Sequence, residues 1–201
     1  HIAGAEVWAQ RVTYVGELGW ELYVAAGEAG PVWDALWAAG QPFGIEPCGY
    51  KCLDSLRLEK AYRYWSADIT ASENPYEAGL GFCVRLNKGD FIGRDALLKA
   101  KAAGQRRKLC TITISPLPAG EGPGVRVLYG GECVYHAGTI VGRLRSAGWG
   151  YTVAENIGLI YLPLELSQPG TPLEVDAFGE RLPARVAADV LYDPQGTRLK
   201  S

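Results

Sequence analysis

The sequence predicts an α+β protein whose first half mixes helices with strands and whose second half is built from short strands alone. Three observations carry that expectation. Helical stripes and a strand–turn–strand pattern alternate before residue 107, and short β-branched runs separated by glycine and proline follow it. The length of 201 residues, 48% hydrophobic and 21% charged, suffices for one large domain or two small ones with ordinary cores. The expected division is 1–107 for the mixed part and 108–201 for a small all-β barrel or sandwich.

The elements follow in order. Around residues 8–25, Val12, Tyr14 and Val15 and then Trp20, Leu22 and Val24 flank Gly16-Glu17-Leu18-Gly19, which reads as a hairpin. Next, Val32, Trp33, Leu36 and Trp37 fall on one helical stripe, with Pro31 suited to a first turn and Gly40 to an exit. Residues 49–62 predict a second helix with Leu53 and Leu56 as its apolar stripe and Asp54, Arg57 and Glu59 on other faces. Asn74-Pro75 marks a turn, residues 80–86 read as a strand, and residues 94–103 read as a helix stopped by Gly104. Beyond Arg106-Arg107-Lys108, β-rich runs are expected at 109–114, 125–129, 140–145, 157–162, 172–175 and 185–191. The Pro- and Gly-rich segment 115–124 reads as a long surface loop.

Composition removes several function classes. Twenty Lys+Arg against 22 Asp+Glu leave a net charge of −2, so no broad positive field gathers nucleic acid or anionic lipid. No apolar run approaches the roughly 18 residues of a membrane span. Cys48, Cys52, Cys83, Cys110 and Cys133 are irregularly spaced without a C-x-x-C pair, which points to reduced, buried thiols rather than disulfides or zinc. With His1 and His136 as the only histidines, a histidine metal centre or a Ser-His or Cys-His nucleophile has almost no material. No metal site is expected, and a small molecule or another protein is the expected partner.

The hairpin is where chemistry could sit. With Gly16–Gly19 as a four-residue loop, Val15 opposes Trp20 and Tyr14 opposes Glu21 on one face, their Cβ atoms roughly 5 Å apart. A phenol beside a carboxylate suits a flat heterocycle with adjacent N–H donors, such as a pterin or purine. An ordinary surface hairpin carries the same residue types, and the two readings stay open on geometry alone.

Thr13-Tyr14-Val15-Gly16-Glu17-Leu18-Gly19-Trp20-Glu21 resembles a segment of the sarcosine and dimethylglycine dehydrogenases, whose C-terminal half is related to the aminomethyltransferase (T-protein) of the glycine-cleavage system. Asp54-Ser55-Leu56-Arg57-Leu58-Glu59-Lys60, Tyr62-Arg63-Tyr64-Trp65, Asp68-Ile69, Asn74-Pro75-Tyr76-Glu77-Ala78-Gly79-Leu80 and Phe91-Ile92-Gly93-Arg94 resemble the same family in order. Gly142-Arg143 and Ser146-Ala147-Gly148-Trp149-Gly150-Tyr151 continue the likeness more weakly.

The resemblance implies an aminomethyltransferase-like folate-binding subdomain followed by the family's C-terminal β-barrel. It implies tetrahydrofolate as cofactor, with Tyr14 and Glu21 lining its pocket and Glu21 accepting from the pterin N–H groups. Arg57 would fix a folate carboxylate or orient neighbouring groups, and Phe82 would stack where the T-protein usually has Trp. Without the family, Arg57 beside Asp54 reads as a solvated helical ion pair. No catalytic residue is expected in this chain, because the family's reactive aspartate lies in a region that precedes His1. FAD would belong to a domain further upstream, since no G-x-G-x-x-G fingerprint occurs here.

The resemblance thus implies the tetrahydrofolate-binding part of a flavin-dependent sarcosine or dimethylglycine dehydrogenase that forms methylenetetrahydrofolate. It would be cytoplasmic, or in the mitochondrial matrix if eukaryotic, with the missing N-terminal region as partner. Alternatives are a stand-alone aminomethyltransferase or folate-dependent demethylase, and a non-catalytic folate-binding or regulatory protein. A unit that normally packs against an absent region is expected to expose apolar surface, and so either to self-associate as a homo-oligomer or to leave the pocket incomplete.

Overall fold

The computed structural model describes residues 1–115 and 128–200. In the first half, a two-stranded ribbon of β1 (Trp8–Gln10) and β2 (Glu21–Tyr23) precedes helices α1 (Ala29–Gly40), α2 (Tyr50–Glu59) and α3 (Arg94–Ala103). The second half contributes β3 (Arg107–Ile114), β4 (Cys133–His136), β5 (Thr139–Arg143), β6 (Ser146–Gly150), β7 (Glu155–Pro163), β8 (Pro172–Ala177) and β9 (Glu180–Val186). These form one antiparallel sheet in the order β5-β4-β8-β9-β3-β7-β6. The sheet curls into a half-barrel, bringing β5 back against β7: a Cβ built on Gly142 would stand 3.0 Å from Ile160 Cδ1.

The position of β7 explains its composition. Every residue from Asn156 to Leu162 is buried, because both faces are covered. Ile160 and Leu162 join Ile112, Leu144, Val175 and Val186 in the barrel core. The alternate residues Ile157, Leu159 and Tyr161 pack with Leu58 of α2 and Leu109 of β3. Helix α2 lies close on β6, since a Cβ on Gly148 would come within 2.9 Å of Leu58 Cδ1. Ser55 Oγ donates to the Trp149 carbonyl at 2.6 Å across the same contact.

Several expectations need correction. The ribbon pairs Gln10 with Glu21 and Trp8 with Tyr23, so Tyr14 does not oppose Glu21. A longer connection replaces the four-residue loop, because Thr13 Oγ1 accepts from the N–H groups of Val15 and Gly16 at 3.2 Å and bends the chain there. Residues 80–86 form no strand: a 3-10 turn, Gly81–Cys83, follows the positive-φ Gly79. The buried side of α2 carries Ser55, Arg57, Leu58 and Glu59, while Leu53 and Leu56 are only half-buried. Polar groups turn inward because the adjoining strand and loops offer them partners.

The cysteines are free thiols, but Cys48, Cys52 and Cys83 are exposed and Cys110 alone is fully buried. Strands β4 and β6 were not expected. Within the run expected at 125–129, residues 125–127 lie outside the described residues, as does 116–124 of the proline-rich loop, and 128–129 are not strand. Strand β9 ends at Val186, earlier than the expected 185–191 run. No helix among the described residues is long and apolar enough to cross a membrane.

Candidate functional site

The turn at Thr13 directs Tyr14 toward the segment that follows α2. Its hydroxyl donates to the Arg63 carbonyl at 2.9 Å, and its ring stacks on Tyr62 with centroids 6.0 Å apart. A groove of about 450 Å³ opens beside this pair, floored by Ile69, Leu80 and Val190 and edged by Phe82, whose ring is 71% exposed. That size lies within the range of small-molecule sites. Burial pushes the Tyr14 hydroxyl above its ordinary value, with Arg57 opposing, so it remains a donor at neutral pH.

Two cations border the groove, and both are held by backbone. Lys60 Nζ donates to the Asp193 carbonyl at 2.6 Å and lies 3.6 Å from its carboxylate. The lysine stem crosses Gly16, where a Cβ would fall 2.4 Å from Lys60 Cγ, so only glycine fits there. Arg63 donates to the Ala61 and Ala78 carbonyls at 2.5 and 3.1 Å. The groove lining includes no carboxylate, imidazole or thiol, so the site can bind and orient but holds no general acid–base pair.

Behind the groove, Arg57 is buried at 3% exposure. Its guanidinium donates to Asp68 Oδ2 at 2.6 Å, Asp54 Oδ1 at 2.7 Å, Ser146 Oγ at 2.9 Å and the Tyr62 carbonyl at 3.3 Å. The solvated pair with Asp54 is therefore one arm of an internal clamp joining α2, the 62–68 segment and β6. Asp68, fully buried, also accepts from the Tyr64 N–H at 2.8 Å. With these bonds in place Arg57 positions the wall that carries Tyr62 and does not line the groove.

Tyr14 and Phe82 thus share one groove, Arg57 lies one layer behind it, and Glu21 stands apart. Glu21 is exposed on β2 and accepts from the Tyr23 hydroxyl at 2.5 Å. Sequence reasoning missed the part played by Asp68, and it passed over Tyr62, Arg63 and Lys60 as lining residues. The signal was the Tyr62-Arg63-Tyr64-Trp65 string, whose three rings cluster around one cation directly after a helix. Among the described residues, no three His, Cys, Asp or Glu side chains are grouped to hold a metal ion.

Comparison with known proteins accounts for both halves of this architecture. The GCVT N-terminal domain model matches residues 1–88, and the glycine cleavage T-protein C-terminal barrel domain model matches residues 107–193. Mitochondrial dimethylglycine dehydrogenase of Rattus norvegicus is 36% identical over 99% of this chain, which covers 23% of that protein. An aminomethyltransferase of Shouchella clausii is 39% identical over 94% of this chain and 50% of its own length. The crystal structure of the glycine cleavage system aminomethyltransferase T from Bartonella henselae superposes with a TM-score of 0.75 at 23% identity, covering 94% of this chain and 50% of that one. That likeness establishes the aminomethyltransferase fold. The chain spans under a quarter of the dehydrogenase and half of the transferase. With one family's two successive domains matched in order along it, the chain belongs to the glycine-cleavage T-protein family.

Proposed function

We propose that this chain is the tetrahydrofolate-binding portion of a folate-dependent one-carbon transfer enzyme of the sarcosine and dimethylglycine dehydrogenase kind. The observation that carries the reading is the groove in which Tyr14, Tyr62 and Phe82 offer ring surface beside the tethered cations Lys60 and Arg63. Those residues fit an aromatic heterocycle with an anionic tail: rings stack on rings, and fixed cations favour carboxylates. Bound tetrahydrofolate supplies nitrogen nucleophiles that take up a one-carbon unit. The chain's own groups hold and orient it, and their contribution to rate is proximity. Arg57 acts as a positioning residue through Asp68 and Tyr62. The role of Glu21 as acceptor for pterin N–H groups rests on the family resemblance alone, since Glu21 lies outside the groove.

Flavin chemistry and the reactive aspartate belong, in this reading, to a longer parent, and the isolated chain binds folate without turnover. A mitochondrial matrix location follows for a eukaryotic parent by analogy with the dehydrogenases. A stand-alone aminomethyltransferase is the second reading, favoured by the 39% identity to the Shouchella protein. Detection of flavin in the purified parent separates the two. Calorimetric titration of the chain with folinic acid tests the binding site. Tyr14→Ala and Phe82→Ala are each expected to weaken binding by about tenfold, loss of one base–aromatic stack being worth roughly 1–3 kcal/mol. Unchanged affinity in both variants would remove the groove assignment, and unchanged affinity in Glu21→Ala would remove Glu21 alone.

A further inference from the structure

On the other side of the 62–69 segment lies a second, larger cleft of about 690 Å³. Four arginines converge on it from three places: Arg106 and Arg107 at the start of β3, Arg143 at the end of β5, and Arg145 before β6. In a chain of net charge −2 this is a strong local concentration of positive charge. Carboxylates answer it only in part. Glu73, its side chain 1% exposed, lies 2.6 Å from Arg145 and 3.4 Å from Arg107, and Glu77 is 3.4 Å from Arg107. Burial pushes the Glu73 carboxyl upward, but bonds from Thr70 and the two arginines outweigh it and leave the group ionised below its ordinary range. Glu132 is occupied by the N–H groups of Tyr129 and Gly130. Arg106 and Arg143 have no ion-pair partner among the described residues; Arg143 reaches only the Gly131 carbonyl, at 3.5 Å.

The cleft wall supplies a second observation. Tyr161 is buried at 7% exposure between Arg107 and Arg145, whose guanidinium carbons lie 4.8 and 5.3 Å from its ring centre. Its hydroxyl has no hydrogen-bond partner among the described residues, an uncommon state for a buried polar atom. Burial pushes this hydroxyl to about 12, so it is a protonated donor at neutral pH. The Tyr161 ring and Glu73 hold Arg107 and Arg145 in fixed orientations, which lowers the ordering cost when their planar forks meet an oxyanion.

We propose that this cleft is a binding site for a small multivalent oxyanion, a compound with neighbouring carboxylates or phosphates, gripped by Arg106, Arg107, Arg143 and Arg145 and completed by the Tyr161 hydroxyl. The volume is too large for one isolated oxyanion and suits a ligand with several. The proposal is independent of the folate reading, because no residue lining this cleft lines the Tyr14 groove.

Calorimetry on the chain at low ionic strength tests it, with pyrophosphate and tri-γ-glutamate as probes. One-to-one saturable binding of at least one probe is expected, weakening as salt rises. Arg106→Ala/Arg143→Ala lies outside the Glu73 network and should fold normally while losing about tenfold or more in affinity. Tyr161→Phe should lose affinity severalfold. Tighter binding of pyrophosphate identifies a phosphate ligand, and tighter binding of triglutamate a carboxylate one. No saturable binding of either probe at millimolar concentration, or equal affinity in the double arginine variant, would overturn the proposal.

Discussion

Arg57 shows how far a single residue's role depends on what surrounds it. Read along the helix it is one partner of Asp54 at i−3; in the fold its guanidinium is spent on a fully buried carboxylate, a hydroxyl and a carbonyl as well. Breaking one side of a buried pair strands the other charge, so Arg57→Ala or Asp68→Asn should each cost about 3–5 kcal/mol. Urea denaturation monitored by circular dichroism measures this. Arg57→Lys should recover little, because an ammonium cannot span four partners in a planar fork. The inward path of Arg57 was not legible in the sequence. The residues that receive it, Asp68 and Ser146, lie 11 and 89 positions away, beyond any local pattern.

Among the elements, those with strong local signals were legible. The stripe around Val32, with Pro31 near its start, marked α1, and Gly104 marked the end of α3. Elements specified by contact were not. Strand β6, Ser-Ala-Gly-Trp-Gly, lacks β-branched residues because α2 lies against it, and the same closeness fixes Gly148. The C-terminal segment is a further case. Tyr192 donates to Glu17 at 3.1 Å, Arg11 donates to the Leu199 carbonyl at 3.0 Å, and Asp193 meets Lys60, so residues 192–199 tie back to the first half. Bonds from the Thr197 hydroxyl and N–H, then from the Arg198 N–H and Lys60, hold the Asp193 carboxyl at about 2 against an ordinary 3.8. A depressed carboxyl stabilises the fold above its unfolded value. Docking of this segment is therefore expected to be complete above about pH 4 and to weaken as pH falls toward 2. Amide-proton NMR of Thr197 and Arg198 between pH 6 and 2 follows the release, and Asp193→Asn should abolish its pH dependence.

At the scale of the whole molecule, the barrel half has a closed core while the first half shows much of its aromatic surface. Trp8, Trp20, Trp33, Phe43 and Trp65 are all exposed, Phe43 at 89%. Apolar surface of that extent drives association, so sedimentation should show concentration-dependent self-association of this chain. A single monomeric species across micromolar to millimolar concentration would count against it. The fold class and the likeness to the T-protein family were legible because they rest on strings of residues that keep their order along the chain. The site's geometry was not, because a pairing register two strands long places Gln10, and not Tyr14, opposite Glu21.

In the proposed function, the Tyr14–Tyr62–Phe82 groove receives the folate ring. A crystal structure of the chain grown with folinic acid tests it most directly. Ring density is expected stacked in that groove, with the Arg57–Asp68 pair unchanged behind it. Ring density at any other place, with the groove filled by solvent alone, would contradict it.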